Sequence, residues 1–197
     1  MSRPTPQLAS TASAPPTTSS YWVVPRSLLA GAYPGDPDPT KHNEKVELLI
    51  GAGIRTFVNL MEENESNWAG KPFVPYQDLA VKLCPEVTCV RYPIQDLSTP
   101  PVTQMASVLN VIDSSVKVGK PVYVHCWGGV GRTGMVIGCW LLRHGLAEPS
   151  NVLVTLMWLR KQDRERGNRA SPETDKQQGF VRHWREADGS QKHKWVG

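Results

Sequence analysis

Two patterns of apolar residues alternate along the chain. Short runs rich in β-branched and aromatic residues predict strands, and longer stretches with an apolar residue at every third or fourth position predict helices. Strand-like runs lie at 21–24, 27–35, 54–60, 88–94 and 121–125, and helical patterns cover 39–53, 101–112, 133–142, 150–162 and 172–184. Residues 61–82 mix Gly, Pro and Asn and are predicted to be mostly loop. This alternation predicts an α/β fold with a central, mostly parallel sheet flanked by helices.

The two ends of the chain differ from its centre in composition. The first 20 residues are almost wholly Ser, Thr, Pro and Ala, a composition that cannot bury a core. We therefore expect a disordered tail over 1–20, one domain over 21–187 and a flexible C-terminal tail over 188–197.

Composition and charge narrow the class of protein. The 197 residues are 40% hydrophobic, which suits one globular core, and 22 Lys and Arg against 18 Asp and Glu leave a formal charge of +4. This mild excess favours anionic partners, but in the absence of a dense basic run it does not indicate a nucleic-acid binder. A late group of basic residues is interpreted as a solvated helix end rather than a docking surface: Arg160, Lys161, Arg164, Arg166 and Arg169.

The four cysteines, Cys84, Cys89, Cys126 and Cys139, show no metal-ligand spacing with one another or with His. The sequence therefore predicts no structural zinc. It predicts no disulfide scaffold either, because the chain is too long and too poor in cysteine. No segment has the pattern of a signal peptide or a membrane span, so a cytoplasmic location is expected.

The segment HCWGGVGRTG, residues 125–134, joins a predicted strand to a predicted helix. Successive backbone N–H groups in a glycine-containing loop can converge on an anion. The helix start adds unpaired N–H groups and the positive end of its dipole. Gly128, Gly129 and Gly131 permit close approach of a ligand to the backbone. A tetrahedral oxyanion such as phosphate fits this environment.

Three side chains of this loop carry the candidate chemistry. Cys126, beside a helix start and a cation, is expected to be a thiolate, which is the nucleophilic form. Arg132 can bind two phosphate oxygens at once, and Thr133 can donate a hydrogen bond that eases departure of the sulfur from a thiophosphate. A nucleotide-binding P-loop would need Gly and Lys in place of Cys126 and Arg132. The alternative is that Cys126 is a buried, unreactive cysteine beside a glycine turn.

This ten-residue segment resembles the signature of the protein tyrosine phosphatase superfamily, nearest its dual-specificity branch. The resemblance covers about residues 21–184 and implies the three-layer α/β phosphatase fold, no metal or other cofactor, and a reaction through phosphocysteine. It implies that His125 helps to set the ionisation and orientation of Cys126, although a structural histidine at a strand end explains His125 nearly as well. The implied phosphate-binding residues are Trp127, Gly128, Gly129, Val130, Gly131 and Arg132.

The resemblance also implies a general acid on a loop about thirty residues before the signature. Asp96 fits, because it follows a predicted strand and is followed by prolines. Asp113 competes by sequence distance but falls in a predicted helix, which lacks the freedom of a loop. An ordinary turn aspartate is the alternative for Asp96.

Residues 171–178 resemble the loop that positions the attacking water in tyrosine-specific members. Gln177 matches the second glutamine of that loop, whereas Glu173 replaces the first. A helix N-terminus capped by Ser171, with Pro172 following, explains the segment about as well. Cys84, Cys89 and Cys139 could form a disulfide with Cys126 under oxidation, but buried packing is the expectation for each.

The substrate is predicted from the charge of the loop. Residues 127–130 contain no lysine, whereas members of the superfamily that act on inositol phosphates or phosphoinositides typically carry lysines there. A monomeric phosphatase for phosphotyrosine, and also for phosphoserine or phosphothreonine, in proteins or peptides is therefore favoured. The alternatives are an inositol-phosphate or phosphoinositide phosphatase and a catalytically weak module that binds phosphorylated partners.

Overall fold

The structure, a computed structural model, describes residue 8 and residues 14–186. The strands are β1 (Ser20–Val24), β2 (Leu28–Gly31), β3 (Thr56–Asn59), β4 (Thr88–Arg91) and β5 (Val122–His125). The helices are α1 (Pro39–Gly51), α2 (Gln77–Leu83), α3 (Val102–Lys117), α4 (Gly131–Arg143), α5 (Val152–Arg160) and α6 (Asp175–Arg182). No helix within these ranges is long and apolar enough to cross a membrane.

The five strands form one sheet in the order β1-β2-β5-β3-β4. Strands β2, β5, β3 and β4 are parallel, and only the edge strand β1 pairs in the antiparallel sense. Every residue of β1, β2, β3 and β5 is buried, as expected when helices cover both faces of a parallel sheet. The predicted three-layer α/β fold with a mostly parallel sheet is confirmed.

The helices bury the faces that the apolar spacing predicted. In α3 the buried residues are Met105, Val108, Leu109 and Ile112, which recur at the helical period. All thirteen residues of α4 are buried, because this helix follows the central strand β5 and packs against α3, α5, α6 and the sheet. Helix α4 therefore fixes the loop that precedes it to the centre of the molecule.

Residues 61–82 are mostly loop, as predicted, although α2 begins within them at Gln77. Two sequence-based expectations about secondary structure and burial were wrong. Helix α6 begins at Asp175 rather than near Pro172, and its N-cap is Thr174, which forms a capping box with Gln177. Arg160 was predicted to lie on a solvated helix end, but it is buried. Its guanidinium donates to the carbonyls of Arg166 and Arg169.

The start of the chain that the structure describes is attached to the domain. Strand β1 begins at Ser20, one residue before the predicted domain start, and the carbonyls of Thr18 and Ser19 accept hydrogen bonds from Arg164 and Ala32. The rest of the predicted N-terminal tail, residues 1–7 and 9–13, lies outside the described residues, as does the predicted C-terminal tail over 188–197.

Candidate active site

The carboxyl ends of the four parallel strands meet at one edge of the sheet. Ligands of open α/β sheets bind in the crevice at this edge. The segments that leave these strand ends carry Tyr33 after β2, Glu65 after β3, Asp96 after β4 and Cys126 after β5. The topology thus gathers one cysteine and two carboxylates from distant parts of the chain.

The loop between β5 and α4 packs tightly against the end of β2. The amide of Tyr33 donates to the carbonyl of Trp127 at 2.9 Å. Gly129 has a φ of 68°, and a Cβ at this position would lie 2.5 Å from the carbonyl carbon of Gly31. Only glycine satisfies both the left-handed backbone and the close approach.

The backbone N–H groups of this loop are largely uncommitted. From Trp127 to Thr133, none donates a hydrogen bond to another described residue, and α4 has no side-chain cap. Buried backbone donors are almost always paired in proteins. Seven successive unpaired donors at the start of a helix therefore form an anion-binding environment.

Cys126 lies at the start of this loop, with only 3% of its surface exposed. The hydroxyl of Thr133 donates to its Sγ at 3.1 Å. The hydroxyl of Ser171 donates to the carbonyl of Val130 at 2.7 Å and holds the loop from the other side. The sequence-predicted contact between Thr133 and the sulfur is thus present.

Arg132 is 1% exposed, and its guanidinium is held by three groups. Nη1 and Nη2 donate to the two carboxylate oxygens of Glu65. Nη1 also donates to the carbonyl of Ile94 at 3.1 Å, and Nη2 lies 3.1 Å from Asp96 Oδ1. Burial works against the charged form, but the hydrogen bond and charge of Glu65, with the charges of Cys126 and Asp96, raise the pKa of Arg132 overall. Nε is buried and has no hydrogen-bond partner among the described residues, so one donor of the fork is available to an anion.

Sequence reasoning missed Glu65. It lies 67 positions before Arg132 in the segment predicted to be mostly loop, and no short motif links the two residues. Their contact exists because β3 pairs with β5, which places the segments after both strands side by side.

The structure separates the two aspartates considered as general acid. Asp96 lies at the site, half exposed, with Oδ1 on Arg132. Asp113 accepts hydrogen bonds from Trp140, Arg143 and His144, in the second half of α4 and just after it. Burial alone would raise the pKa of Asp113, but His144 and the other two donors lower it overall. Asp113 thus joins α3 to α4, away from the loop between β5 and α4.

His125 lies beneath the loop in an aromatic cluster. Its Nε2 is 2.7 Å from the hydroxyl of Tyr76, and its Nδ1 is 3.4 Å from the carbonyl of Cys126. An Nδ1–H tautomer satisfies both contacts, with Tyr76 as the donor to Nε2. Complete burial lowers the pKa of His125 to about 3. His125 is therefore neutral, and its ring contacts the backbone carbonyl of Cys126.

The two residues predicted to position water are placed differently from each other. Gln177 is fully buried, and its side chain bonds the backbone N–H groups of Glu173 and Thr174 and the carbonyl of Ser98. The carboxylate of Glu173 pairs with Arg169 at 2.6 Å. Ser171, the expected helix cap, instead bonds Val130.

Aromatic rings border the loop between β5 and α4. The rings of Trp68 and Trp127 lie 4.9 Å apart, and those of Phe73 and Trp127 lie 5.7 Å apart. Trp68 is 92% exposed, which is unusual for so large an apolar side chain. A cleft of about 180 Å³ beside Trp127 is lined by Tyr33, Phe73 and Arg166, among others.

Comparison with known proteins assigns the family. A family model described as "Tc-R-P: Polymorphic toxin system, DSP-PTPase phosphatase" matches residues 33–146, more than half of the chain. The chain belongs to this family. The resemblance to the dual-specificity branch of the protein tyrosine phosphatases is therefore confirmed.

Relatives of this DSP-PTPase phosphatase agree with the assignment. Protein 067L of Invertebrate iridescent virus 3, provisionally named a tyrosine phosphatase, is 33% identical over 128 residues, which cover 62% of this chain and 45% of that protein. This chain thus spans less than half the length of that relative.

Solved structures of two other phosphatases share the fold. A kinase associated phosphatase with its catalytic-site cysteine replaced by serine has a TM-score of 0.62 and 22% identity, covering 78% of this chain and 83% of that one. PTPMT1 in complex with PI(5)P has a TM-score of 0.60 and 16% identity, covering 80% and 88%. At these identities the likeness concerns the fold alone.

The remaining thiols of this DSP-PTPase phosphatase lie in other parts of the fold. All four cysteines are free, and Cys139 is buried as expected, whereas Cys84 and Cys89 are only partly buried. Burial raises the pKa of Cys89 to about 11, and that of Cys139 as well. Within residue 8 and residues 14–186, no group of three or more His, Cys, Asp and Glu side chains could hold a metal ion.

Proposed function

We propose that this DSP-PTPase phosphatase hydrolyses phosphotyrosine, and also phosphoserine or phosphothreonine, in proteins through a phosphocysteine on Cys126. The observation that carries the proposal is the run of seven unpaired backbone N–H groups from Trp127 to Thr133 beside the sulfur of Cys126. A dianionic phosphate placed there would accept from these donors and from Arg132 Nε.

The first chemical step transfers the phosphoryl group to sulfur. The thiolate of Cys126 attacks phosphorus, the S–P bond forms, and the bond from phosphorus to the leaving oxygen breaks. Asp96, at the mouth of the site, donates its proton to that oxygen. Arg132 and the backbone N–H groups hold the equatorial oxygens, on which negative charge is concentrated.

The second step returns the enzyme to its starting state. Water attacks phosphorus, Asp96 takes up one of its protons, and the S–P bond breaks to release inorganic phosphate. The hydrogen bond from Thr133 to Cys126 Sγ stabilises the thiolate as it leaves. Protons and charge balance over the two steps, and neither step needs a metal or an oxidant.

Aromatic rings at the mouth, and the absence of a cationic side chain from residues 127–130, support a phosphoprotein substrate. The rings of Trp68, Phe73 and Trp127 supply an apolar wall against which a phenyl ring could pack. The loop residues 127–130 contribute no cationic side chain. These features favour phosphotyrosine over a multiply phosphorylated small molecule.

An inositol phosphate or phosphoinositide is the second candidate substrate. The observation that favours it is Arg166, whose Cδ and Nε lie 3.8 Å from where a Cβ on Gly128 would be, and which could bind a second phosphate. The likeness to PTPMT1 in complex with PI(5)P agrees with this candidate.

A substrate panel with EDTA present tests the proposal. The panel contains p-nitrophenyl phosphate, peptides with phosphotyrosine, phosphoserine or phosphothreonine, and inositol phosphates, and phosphate release is measured. We expect turnover of phosphotyrosine peptides, abolished by Cys126→Ser with retained binding of phosphate. Turnover restricted to inositol phosphates would establish the second candidate, and no turnover at all would leave a phospho-partner binding module. Activity of Cys126→Ser above a few per cent of wild type would refute the role of the cysteine.

A further inference from the structure

The side chain of Gln177 joins three parts of the site. Its Oε1 accepts from the backbone N–H groups of Glu173 at 3.1 Å and Thr174 at 3.3 Å, and its Nε2 donates to the carbonyl of Ser98 at 3.2 Å. A Cβ on Gly131 would lie 2.9 Å from Oε1. One buried amide thus contacts the start of α6, the turn that carries Asp96, and the first residue of α4.

The turn that carries Asp96 is held at both ends. The N–H of Ser98 donates to the carbonyl of Gln95 at 3.1 Å, which closes the turn. Before it, the carbonyl of Ile94 accepts from Arg132 Nη1 at 3.1 Å, and at its end the carbonyl of Ser98 accepts from Gln177. Leu97, within the turn, has a φ of 58°, a conformation that costs a residue other than glycine about 1 kcal/mol or more. External contacts therefore maintain the shape of this turn.

Asp96 itself contributes little to its own placement. Its side chain is half exposed, and its Oδ1 lies 3.1 Å from Arg132 Nη2. A phosphate bound at the loop would compete with Asp96 for that guanidinium. The backbone anchors of the turn would then decide whether the carboxyl reaches the leaving oxygen.

We propose that Gln177 is a positioning residue for the general acid rather than a residue that orients the attacking water. Its Oε1 accepts from two backbone N–H groups, and its Nε2 donates to the carbonyl of Ser98, in the turn that carries Asp96. The inference rests on the proposed function, because it assumes that Asp96 is the acid. Gln177 would then set the distance between the carboxyl group of Asp96 and the bound phosphoryl group.

Substitution of Gln177 by Glu separates the two tasks of the side chain. Glutamate is a usual partner in a capping box, so the bonds from Glu173 and Thr174 are retained, whereas a carboxylate cannot donate to Ser98. We expect kcat/KM for a phosphotyrosine peptide, which has a basic leaving group, to fall by about 10–100-fold, since misplacement of an acid by about 1 Å has effects of this size. For 2,4-dinitrophenyl phosphate, whose leaving group needs no proton, the fall should stay below about 3-fold.

Two further variants control for charge and for the helix start. Gln178→Glu introduces the same charge one residue later, where the amide donates to the carbonyl of Pro172, and should leave both substrates within about 2-fold of wild type. Gln177→Met removes both tasks without adding charge. Thermal unfolding should show a lower Tm for Gln177→Met, yet its loss of activity should still be larger for the phosphotyrosine peptide.

A double-mutant cycle with Asp96→Asn decides the outcome. If Gln177 acts through Asp96, then adding Gln177→Glu to Asp96→Asn causes little further loss, because residues that act as a unit are not additive. Equal losses on both substrates, or full additivity with Asp96→Asn, would overturn the inference alone. If Asp96→Asn itself shows no dependence on the leaving group, the assignment of the acid in the proposed function is overturned and the inference with it.

Discussion

At the scale of single residues, one guanidinium organises the site. Arg132 donates to Glu65 through two nitrogens, donates to the carbonyl of Ile94, and contacts Asp96. This requires a planar group with donors in several directions, which an ammonium does not provide. Glu65 is thus as much a part of the arrangement as the residues of the signature.

Arg132→Lys should be severely impaired although it conserves the charge. We expect kcat/KM for phosphotyrosine peptides to fall by about 10²–10³, the range for loss of a preorganised donor to a developing charge. Arg169→Lys, at an exposed pair with Glu173, is the matched control and should remain within about 2-fold of wild type. An Arg132→Lys enzyme with near-normal kcat/KM would contradict the need for a planar group with several donors at this position.

His125 makes a prediction about stability and pH. Its folded-state pKa of about 3 lies below the value of about 6.5 for an exposed histidine. The unfolded chain therefore binds one more proton between these values, and stability falls as the pH is lowered from about 6.5 toward 3. In this window, protonation of His125 in the unfolded chain lowers the free energy of unfolding by up to about 1.4 kcal/mol per pH unit.

Urea unfolding of wild type and His125→Gln over pH 7 to 4 measures this slope. The variant should be less stable at pH 7, because it loses the contact with Tyr76, but its stability should fall less steeply with acidification. Parallel pH profiles for the two proteins would show that His125 is protonated in the folded state.

At the scale of elements, the loop between β5 and α4 depends on its backbone. Helix α4 has no side-chain cap, and the uncommitted N–H groups of its first turn and of the residues before it would hold an anion. The loop keeps this shape because Gly129 turns through a positive φ while in contact with Gly31 at the end of β2.

Gly129→Ala should therefore lose activity as well as stability. Gly145 is the matched control, because it also has a positive φ, of 63°, but a Cβ there would meet nothing within 4 Å. We expect Gly145→Ala to cost about 1–2 kcal/mol of unfolding free energy without a change in kcat. Gly129→Ala should cost more and lower kcat at least 10-fold, as measured by urea unfolding and by initial rates. Equal losses of stability and activity in the two variants would contradict a role for the close contact between Gly129 and the end of β2.

At the scale of the whole molecule, two aspartates have separate tasks that tertiary packing assigns. Asp96 follows a strand whose carboxyl end faces the phosphate loop. Asp113 joins α3 to α4 through donors on Trp140, Arg143 and His144. The first placement is the one that the proposed reaction needs, and the second joins two helices of the core.

Asp113→Asn should lower the free energy of unfolding by about 1–3 kcal/mol, because it weakens bonds to a charged partner, and should leave kcat unchanged. The stabilisation by Asp113 is present above about pH 4 and is lost as the pH falls through its lowered folded-state pKa. Asp96→Asn should do the reverse, lowering kcat for phosphotyrosine peptides by about 10²–10⁴ with little change in stability. A larger kinetic effect of Asp113→Asn would make Asp113 the acid.

The sequence by itself determined the alternation of strands and helices, the mostly parallel sheet, and the loop from His125 to Gly134. These features are local: a strand, a helix or a phosphate loop is specified by spacing over about ten residues and by backbone conformation. For the same reason, the contact of Thr133 with Cys126 could be predicted, because both residues belong to one motif.

Only the tertiary structure decided which distant side chains meet. The pairing of Glu65 with Arg132, the bond from Gln177 to Ser98 and the contact of Tyr76 with His125 each join residues separated by 49 to 79 positions. Nothing in the local spacing specifies such pairs. The first and third pairs arise because parallel strands bring segments far apart in the chain to the same edge of the sheet. The bond from Gln177 to Ser98 arises because α6 packs against α4 beside this edge. Burial then leaves each polar group few partners to choose from.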